Sequence, residues 1–181
     1  MNSLIALPNI ISLFRMFLVL PACLNIIDHN FGTALLFFCL AAISDALDGF
    51  LARYLNLQTN LGKILDPVAD KLLLGGAIGC LWFISEIPLY VFTIFIARDL
   101  LILLGATYEI SLTDRTPTPN LFGKFTTICQ MILIISIMIN AAFSGNFNFL
   151  IAHIIVCSVT IISLSNYFGF WIYNNFIIKN D

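Results

Sequence analysis

Four aspartates lie close together in one stretch of an otherwise apolar chain, at residues 44–74. The chain has ten acidic residues in all, and the four in this stretch are Asp45, Asp48, Asp66 and Asp70. Their neighbours are mostly Ala, Leu, Ile, Val and Phe. A carboxylate within or near the hydrocarbon layer of a membrane is costly, and such residues usually serve function. The stretch is therefore where we expect the chemistry of this protein.

The spacing of these aspartates predicts two pairs on two helices. Residues three or four apart share a helix face, so Asp45 pairs with Asp48, and Asp66 pairs with Asp70. If the helices are antiparallel neighbours joined around residues 56–60, the two pairs face each other. Oxygen ligands suit hard divalent cations, and we predict two Mg²⁺ or Mn²⁺ ions here. Roles as caps or ion-pair partners explain one carboxylate better than four, because several anions lying together without a cation are costly.

The composition indicates an integral membrane protein that forms a single domain over residues 1–181. Hydrophobic residues make up 60% of the chain, charged residues make up 10%, and the mean hydropathy is +1.01. The net charge of -2 gives no indication of a nucleic-acid partner, and membrane lipids are the expected surroundings. The five cysteines lie in apolar runs without metal-site spacing, which predicts buried thiols.

Windows of about twenty apolar residues predict six transmembrane helices. Three connections between them are short, at residues 28–30, 85–87 and 144–146, which favours antiparallel neighbours. The predicted helices run from Pro8 to Ile27, Phe31 to Tyr54, Lys63 to Ile84, Pro88 to Tyr108, Leu121 to Phe143 and Phe149 to Tyr173.

The basic residues predict how the helices are oriented. The three short connections contain no Lys or Arg, whereas the opposite helix ends are basic. By the positive-inside rule, both termini and the connections at 55–62 and 109–120 face the cytoplasm. The acidic stretch then lies at the cytoplasmic ends of the second and third helices. The first apolar segment has no basic region before it and no obvious cleavage site, so we expect it to be retained in a multi-pass protein of the inner (cytoplasmic) membrane.

At the acidic stretch the sequence resembles the CDP-alcohol phosphatidyltransferase family. The family signature is D-x-x-D-G-x-x-A-R, then eight residues, then G-x-x-x-D-x-x-x-D, and this chain matches every fixed position. The matching residues are Asp45, Asp48, Gly49, Ala52, Arg53, Gly62, Asp66 and Asp70. The opening segment PNIISLFR also looks like that of the family. The resemblance covers the first five predicted helices well and the sixth only by its hydrophobicity.

This resemblance implies a six-helix fold and a phosphatidyltransferase reaction. The donor would be CDP-diacylglycerol, an alcohol would attack the lipid-bearing phosphorus, and CMP would leave. The four aspartates would bind the divalent metals, and Asp70 would also be the general base. The nucleotide part of the donor would be lined by Gly49, Ala52, Arg53 and Gly62. Members of the family are often dimers, which makes a homodimer an expectation for this chain.

Two glycerol-based acceptor alcohols are candidates for this chain, phosphatidylglycerol and glycerol 3-phosphate. The sequence looks like the branch that contains phosphatidylglycerophosphate synthases and CMP-forming cardiolipin synthases. The first group typically carries a further arginine about two turns after its ARE segment, whereas this chain has ARDLLILLGA with Ala106 at that position. The pattern favours phosphatidylglycerol over glycerol 3-phosphate. The expected acceptor-phosphate residues are Arg98, Arg115 and Lys124. A local pair with Asp99 is the alternative for Arg98, but adjacent helix residues do not face each other.

The residues alone also leave two other classes of function to consider. A divalent-cation channel or transporter would place acidic residues along the whole membrane depth, whereas here they cluster on one side. A non-catalytic scaffold with the same fold would be expected to have lost at least one signature aspartate, and none is missing. Both alternatives are therefore weaker than the enzyme.

Overall fold

Six α-helices account for nearly all of the residues that the structure describes. The computed structural model describes residues 7–54, 62–113 and 121–172, with side chains for 11, 13–45, 47, 69, 71–105 and 122–169. Within these ranges there is no strand. The helices are α1 (Leu7–Ile27), α2 (Phe31–Tyr54), α3 (Gly62–Phe83), α4 (Leu89–Thr113), α5 (Leu121–Ala142) and α6 (Leu150–Ile172). The prediction of an all-α fold with six helices is confirmed.

The helix boundaries follow the hydropathy of the chain except at the end of α4. Every other boundary lies within one residue of the predicted one, but α4 continues from the predicted Tyr108 to Thr113. The apolar run ends at Glu109, which is why hydropathy places the boundary there. Backbone hydrogen bonds do not need apolar side chains, so the helix continues through Glu, Ser and Thr.

The three short connections share one way of ending a helix. Each contains a non-glycine residue with a left-handed backbone, and these residues are His29 (φ 57°), Ser85 (φ 64°) and Ser144 (φ 50°). Each left-handed residue donates its N–H to the carbonyl three residues earlier, and the next residue donates to the carbonyl five residues earlier. This pair of bonds is the Schellman motif, which satisfies carbonyls that the helix end would leave unpaired. At Ser85, for example, the two N···O distances are both 2.9 Å.

The chain divides into two compact units, and the first contains α1, α2, α3 and residues Ile134–Phe147. In this unit α1 contacts both α2 and α3, and α2 also contacts α3. The helices approach through small buried residues, which are Ala22, Ala34, Ala41, Ala69 and Ala77. A Cβ at Gly76 of α3 would lie 3.0 Å from the sulfur of Cys23 on α1. Small residues that allow close backbone approach are typical of helix packing in membranes.

The second unit contains α4, the part of α5 up to Leu133, and α6. Among the described residues of this unit, α4 and α6 make a close contact, and α5 and α6 are joined by a hydrogen bond. Gly105 of α4 leaves room for the ring of Tyr167 on α6, because a Cβ there would lie 2.7 Å from the tyrosine Oη. Gln130 of α5 donates to the hydroxyl of Thr160 on α6 at 3.4 Å. Polar bonds between helices are a second typical feature of membrane packing.

The described surface is apolar, whereas several polar side chains are buried. Large exposed hydrophobic residues occur on all six helices, for example Phe17, Leu36 and Ile151. The buried polar or charged residues include Arg15, Arg98, Thr126, Gln130, His153, Thr160 and Ser163. A water-facing surface would show the opposite arrangement, so this surface suits contact with lipid.

Two segments among the described residues are both long enough and apolar enough to cross a membrane. They are Phe122–Ala142 and Leu150–Gly169, with mean hydropathies of 1.9 and 1.8. Shorter apolar helical runs cover Leu13–Ile27, Phe31–Asp45 and Lys71–Phe83. The prediction that all six helices cross the membrane therefore stays a prediction.

Candidate active site

The first signature aspartate lies against a buried arginine from the neighbouring helix. Arg15 of α1 has no exposed side-chain surface, and its Nη1 is 2.6 Å from Oδ1 of Asp45 on α2. The Asp45 side chain keeps 46% of its surface exposed. The pair therefore has a buried cationic end and a half-exposed anionic end. Contact between α1 and α2 is what brings the two charges together.

The backbone places the four signature aspartates on two helices that contact each other. Asp45 and Asp48 belong to α2, and Asp66 and Asp70 belong to α3. Both pairs thus have the helical spacing that the sequence predicts. The side chains of Asp48, Asp66 and Asp70 lie outside the described ones, so a four-carboxylate metal site stays a prediction. Among the described residues there is no group of three or more His, Cys, Asp or Glu that could hold a metal.

The other signature residues also lie on these two helices. Gly49, Ala52 and Arg53 are in the last turns of α2, and Gly62 is the first residue of α3. The two segments are the ends that the connection at 55–61 joins. Their side chains are not among the described ones, so contact with the nucleotide part of the donor stays a prediction.

In the second unit, Arg98 is buried and bound to its own neighbour in the chain. Its Nη1 is 2.7 Å from Oδ1 of Asp99, and its Nη2 donates to the carbonyl of Gly123 on α5 at 3.2 Å. Only 4% of its side chain is exposed. The local pair with Asp99, which is the alternative for Arg98, therefore does form, because the long arginine side chain reaches its neighbour in the chain. Its role at an acceptor phosphate stays a prediction.

The remaining acceptor candidates are less well defined by the structure. Lys124 is an exposed residue of α5, one position after the Gly123 carbonyl that binds Arg98. Arg115 lies outside the described residues, and Ala106 is described only as part of the α4 backbone. A common phosphate site for Arg98, Arg115 and Lys124 stays a prediction.

The partner of Arg15 is the feature that the sequence reasoning missed. In the sequence, Arg15 is the last residue of the PNIISLFR segment and one of the basic residues that predict the membrane orientation. An arginine eight residues into an apolar helix needs a buried anion, and this signal pointed to one of the aspartates. Which aspartate it would be depends on the register between α1 and α2, which sequence periodicity does not determine.

Comparison with known proteins supports the same conclusion as the signature. Residues 5–165 match the CDP-alcohol phosphatidyltransferase family. The chain is 34% identical to CDP-diacylglycerol–glycerol-3-phosphate 3-phosphatidyltransferase of Aquifex aeolicus, over 77% of this chain and 79% of that protein. It is also 34% identical to the protein of that name from Escherichia coli strain K12, over 70% and 72% of the two chains. It is 35% identical to the CMP-forming cardiolipin synthase of Homo sapiens, over 68% of this chain and 40% of the human protein.

These similarities cover the signature helices and most of the chain. Members of the family are membrane-embedded transferases that use divalent metals, a CDP-linked lipid donor and an alcohol acceptor. This favours an enzyme over the channel and scaffold alternatives. The chain belongs to the CDP-alcohol phosphatidyltransferase family and is a phosphatidyltransferase.

Proposed function

We propose that this protein transfers the phosphatidyl group of CDP-diacylglycerol to phosphatidylglycerol, forming cardiolipin and CMP. The observation that carries the choice of acceptor is the ion pair of Arg98. Its side chain is 4% exposed, and its guanidinium lies 2.7 Å from Asp99 and donates a hydrogen bond to a backbone carbonyl. Much of its charge is therefore already balanced within the protein.

The charge of the acceptor phosphate explains why this matters. Glycerol 3-phosphate carries a phosphomonoester, a group with a charge of about -1.5 to -2 at pH 7, whereas the phosphodiester of phosphatidylglycerol carries one negative charge. A phosphomonoester needs a stronger cationic clamp, preferably with bidentate arginines. Here Arg98 is paired with Asp99, and Ala106 occupies the position where an arginine would strengthen that clamp. Both features favour the less charged acceptor.

The proposed reaction is a displacement at the lipid-bearing phosphorus of the donor. The Asp70 carboxylate accepts the proton of the acceptor hydroxyl as its oxygen forms the new bond to phosphorus. The bond from phosphorus to the CMP oxygen breaks, and the electron pair leaves with CMP. Arg53 pairs with a donor phosphate, and Gly49, Ala52 and Gly62 leave room for the nucleotide.

Two divalent cations are the proposed cofactors, held by Asp45, Asp48, Asp66 and Asp70. The donor set fits them, because it consists of carboxylate oxygens and because Asp45, the member whose side chain is described, is half exposed. When bound, such ions neutralise charge on the attacking and leaving oxygens. The choice between Mg²⁺ and Mn²⁺ is left to the assay.

Glycerol 3-phosphate is the second candidate acceptor. It is favoured by the names of the Aquifex aeolicus and Escherichia coli relatives, which match as well as the human cardiolipin synthase does. For that reason the first experiment has to compare the two acceptors directly.

We further propose that all six helices cross the inner membrane, with both termini and the signature ends of α2 and α3 in the cytoplasm. The apolar outer surface on every helix and the buried polar residues support six spans. The absence of Lys and Arg from the connections at 28–30, 85–87 and 144–146 supports the orientation. A homodimer is proposed from the family resemblance alone.

The test is CMP release by the purified protein from CDP-diacylglycerol, with Mg²⁺ or Mn²⁺ and either acceptor. We expect release with phosphatidylglycerol and little with glycerol 3-phosphate. Asp70→Asn should lower the rate by at least about a hundredfold, as expected for loss of a general base. Ala106→Arg should raise the use of glycerol 3-phosphate, because it adds a cation to the proposed clamp.

Each outcome of this assay has a distinct meaning. Turnover only with glycerol 3-phosphate would overturn the choice of acceptor, but the protein would still be a phosphatidyltransferase. Undiminished activity of Asp70→Asn would remove Asp70 from its role as the base. No CMP with either acceptor, from a correctly folded protein, would refute both acceptors.

A further inference from the structure

We infer that Arg15 is a positioning residue for the divalent-metal site, acting through Asp45. This inference rests on the proposed function, because it assumes that Asp45 is a metal ligand. The supporting observation is direct: Nη1 of Arg15 lies 2.6 Å from one carboxylate oxygen of Asp45, on the first helix that carries signature residues. Arg15 itself lies outside the D-x-x-D-G-x-x-A-R signature, on α1.

Burial makes this ion pair unlike an ordinary surface pair. The Arg15 side chain has no exposed surface, so its charge is separated from water and depends on anions within the protein. A surface pair exchanges readily with solvent and contributes little. A buried guanidinium holds its partner more firmly, because separating the pair would leave an uncompensated charge inside the helices. Arg15 thus limits the rotation of the Asp45 carboxylate from its buried side.

A carboxylate has two oxygens, and Arg15 contacts one of them. The salt bridge involves Oδ1, and nearly half of the Asp45 side-chain surface stays exposed. Metal-binding carboxylates are commonly held by a hydrogen bond from a second residue, which fixes their orientation toward the ion. Arg15 and Asp45 are related in the same way through an ion pair, with the buried arginine at one carboxylate oxygen and nearly half of the Asp45 side-chain surface exposed.

Arg15 also has an electrostatic effect that opposes the orienting one. A cation next to a metal ligand lowers the attraction of that ligand for Mg²⁺ or Mn²⁺. If charge dominates, removal of Arg15 should strengthen metal binding, whereas if orientation dominates, removal should weaken it. We infer that orientation dominates, because losing such a second residue typically costs about 10- to 100-fold in metal affinity. The two effects have opposite signs, so a binding measurement separates them.

The experiment measures Mn²⁺ binding by electron paramagnetic resonance, on metal-free protein in lipid nanodiscs and without substrates. It compares the wild type, Arg15→Gln, Asp45→Asn and the double variant as a double-mutant cycle. We expect Arg15→Gln to raise the Mn²⁺ dissociation constant about tenfold or more. In the Asp45→Asn background the same change should not weaken binding further. Arg15→Lys keeps the charge without the planar fork, so it should restore part of the affinity lost in Arg15→Gln.

Arg98→Gln is the matched control, because it also removes a buried guanidinium that is paired with an aspartate. Asp99 is not a signature residue, so this control should leave the Mn²⁺ affinity unchanged within about twofold. That is the usual deviation from additivity between residues that do not interact. Should Arg15→Gln fail to yield a monodisperse protein, the cycle is run with Arg15→Lys, which preserves the buried charge.

Three results would overturn the inference. One is tighter or unchanged Mn²⁺ binding in Arg15→Gln. The second is an equal loss of affinity with and without Asp45, which would make Arg15 a general structural residue. The third is an equal loss in Arg98→Gln. Failure of the wild type to bind Mn²⁺ would instead refute the metal site of the proposed function, and the inference with it.

Discussion

At the scale of single residues, three described helices end at a non-glycine residue whose backbone is left-handed, a conformation that is unfavourable for a side chain. His29, Ser85 and Ser144 each adopt positive φ in a Schellman motif. A side chain at such a position is strained by about 1–2 kcal/mol, which is why glycine is the usual residue there. These positions were not predicted, because the short connections have no glycine at the left-handed residue to indicate the motif.

The strain predicts that Ser85→Gly stabilises the protein. We expect a gain of about 0.5–1 kcal/mol in the free energy of unfolding, since relief of the left-handed strain exceeds the added flexibility of the unfolded chain. The measurement is reversible unfolding in mixed detergent micelles. The matched control is Ser165→Gly in α6, where the backbone is helical and the same change should destabilise the protein by about 0.5 kcal/mol, because glycine favours helix less than serine does. Equal effects at the two positions would contradict the explanation.

The candidate site shows a similar contrast between what sequence reasoning finds and what it misses. Spacing alone predicts that Asp45 and Asp48 share a helix, and the backbone agrees. It does not predict that Arg15 lies against Asp45, or that Arg98 binds the adjacent Asp99. Both ion pairs depend on the register of neighbouring helices or on a side-chain conformation, and neither leaves a periodic pattern in the sequence.

At the scale of helices, hydropathy predicts the boundaries well because each helix coincides with a long apolar run that polar connections interrupt. The exception is the end of α4, which extends five residues past the predicted Tyr108 to Thr113, into polar sequence. Packing between helices is harder to predict. Several glycines in the chain look equivalent in the sequence, yet a Cβ at Gly105 would contact Tyr167, whereas a Cβ at Gly169 would meet nothing within 4 Å.

This difference predicts opposite effects of adding one methyl group. Gly105→Ala places Cβ 2.7 Å from Oη and 2.9 Å from Cε1 of Tyr167, so the rigid ring has to move. We expect a loss of about 1–3 kcal/mol in stability, as for other overpacked interiors. Gly169→Ala should be neutral or stabilising by up to about 1 kcal/mol, because alanine favours helix more than glycine does.

The measurement is the thermal unfolding midpoint of both variants in the same detergent. Replacing Tyr167 with leucine in the Gly105→Ala protein should recover part of the lost stability. Equal midpoints for Gly105→Ala and Gly169→Ala would show that α4 and α6 do not pack closely at this point.

At the scale of the whole molecule, the proposed topology places three connections outside and two inside. Single cysteines in a cysteine-free background test this with a membrane-impermeant maleimide. Ser85→Cys should react in intact spheroplasts, whereas Thr118→Cys should react only after the membrane is opened. Labelling of Thr118→Cys in intact spheroplasts would contradict the proposed orientation. Labelling of both positions from the same side would show that α4, the helix between them, does not cross the membrane.

The buried pair of Arg15 and Asp45 also bears on how the chain enters the membrane. An arginine near the centre of a single inserting helix costs about 2.5–3.5 kcal/mol. Asp45 lies on the next helix, and the turn at 28–30 between them is closed by backbone bonds and by the hydrogen bond from Thr33 to Asn25. In the proposed topology, insertion of α1 and α2 together lets the two charges neutralise each other before either faces lipid. The residue that we propose positions the Asp45 carboxylate would then also favour insertion of the first two helices as one hairpin.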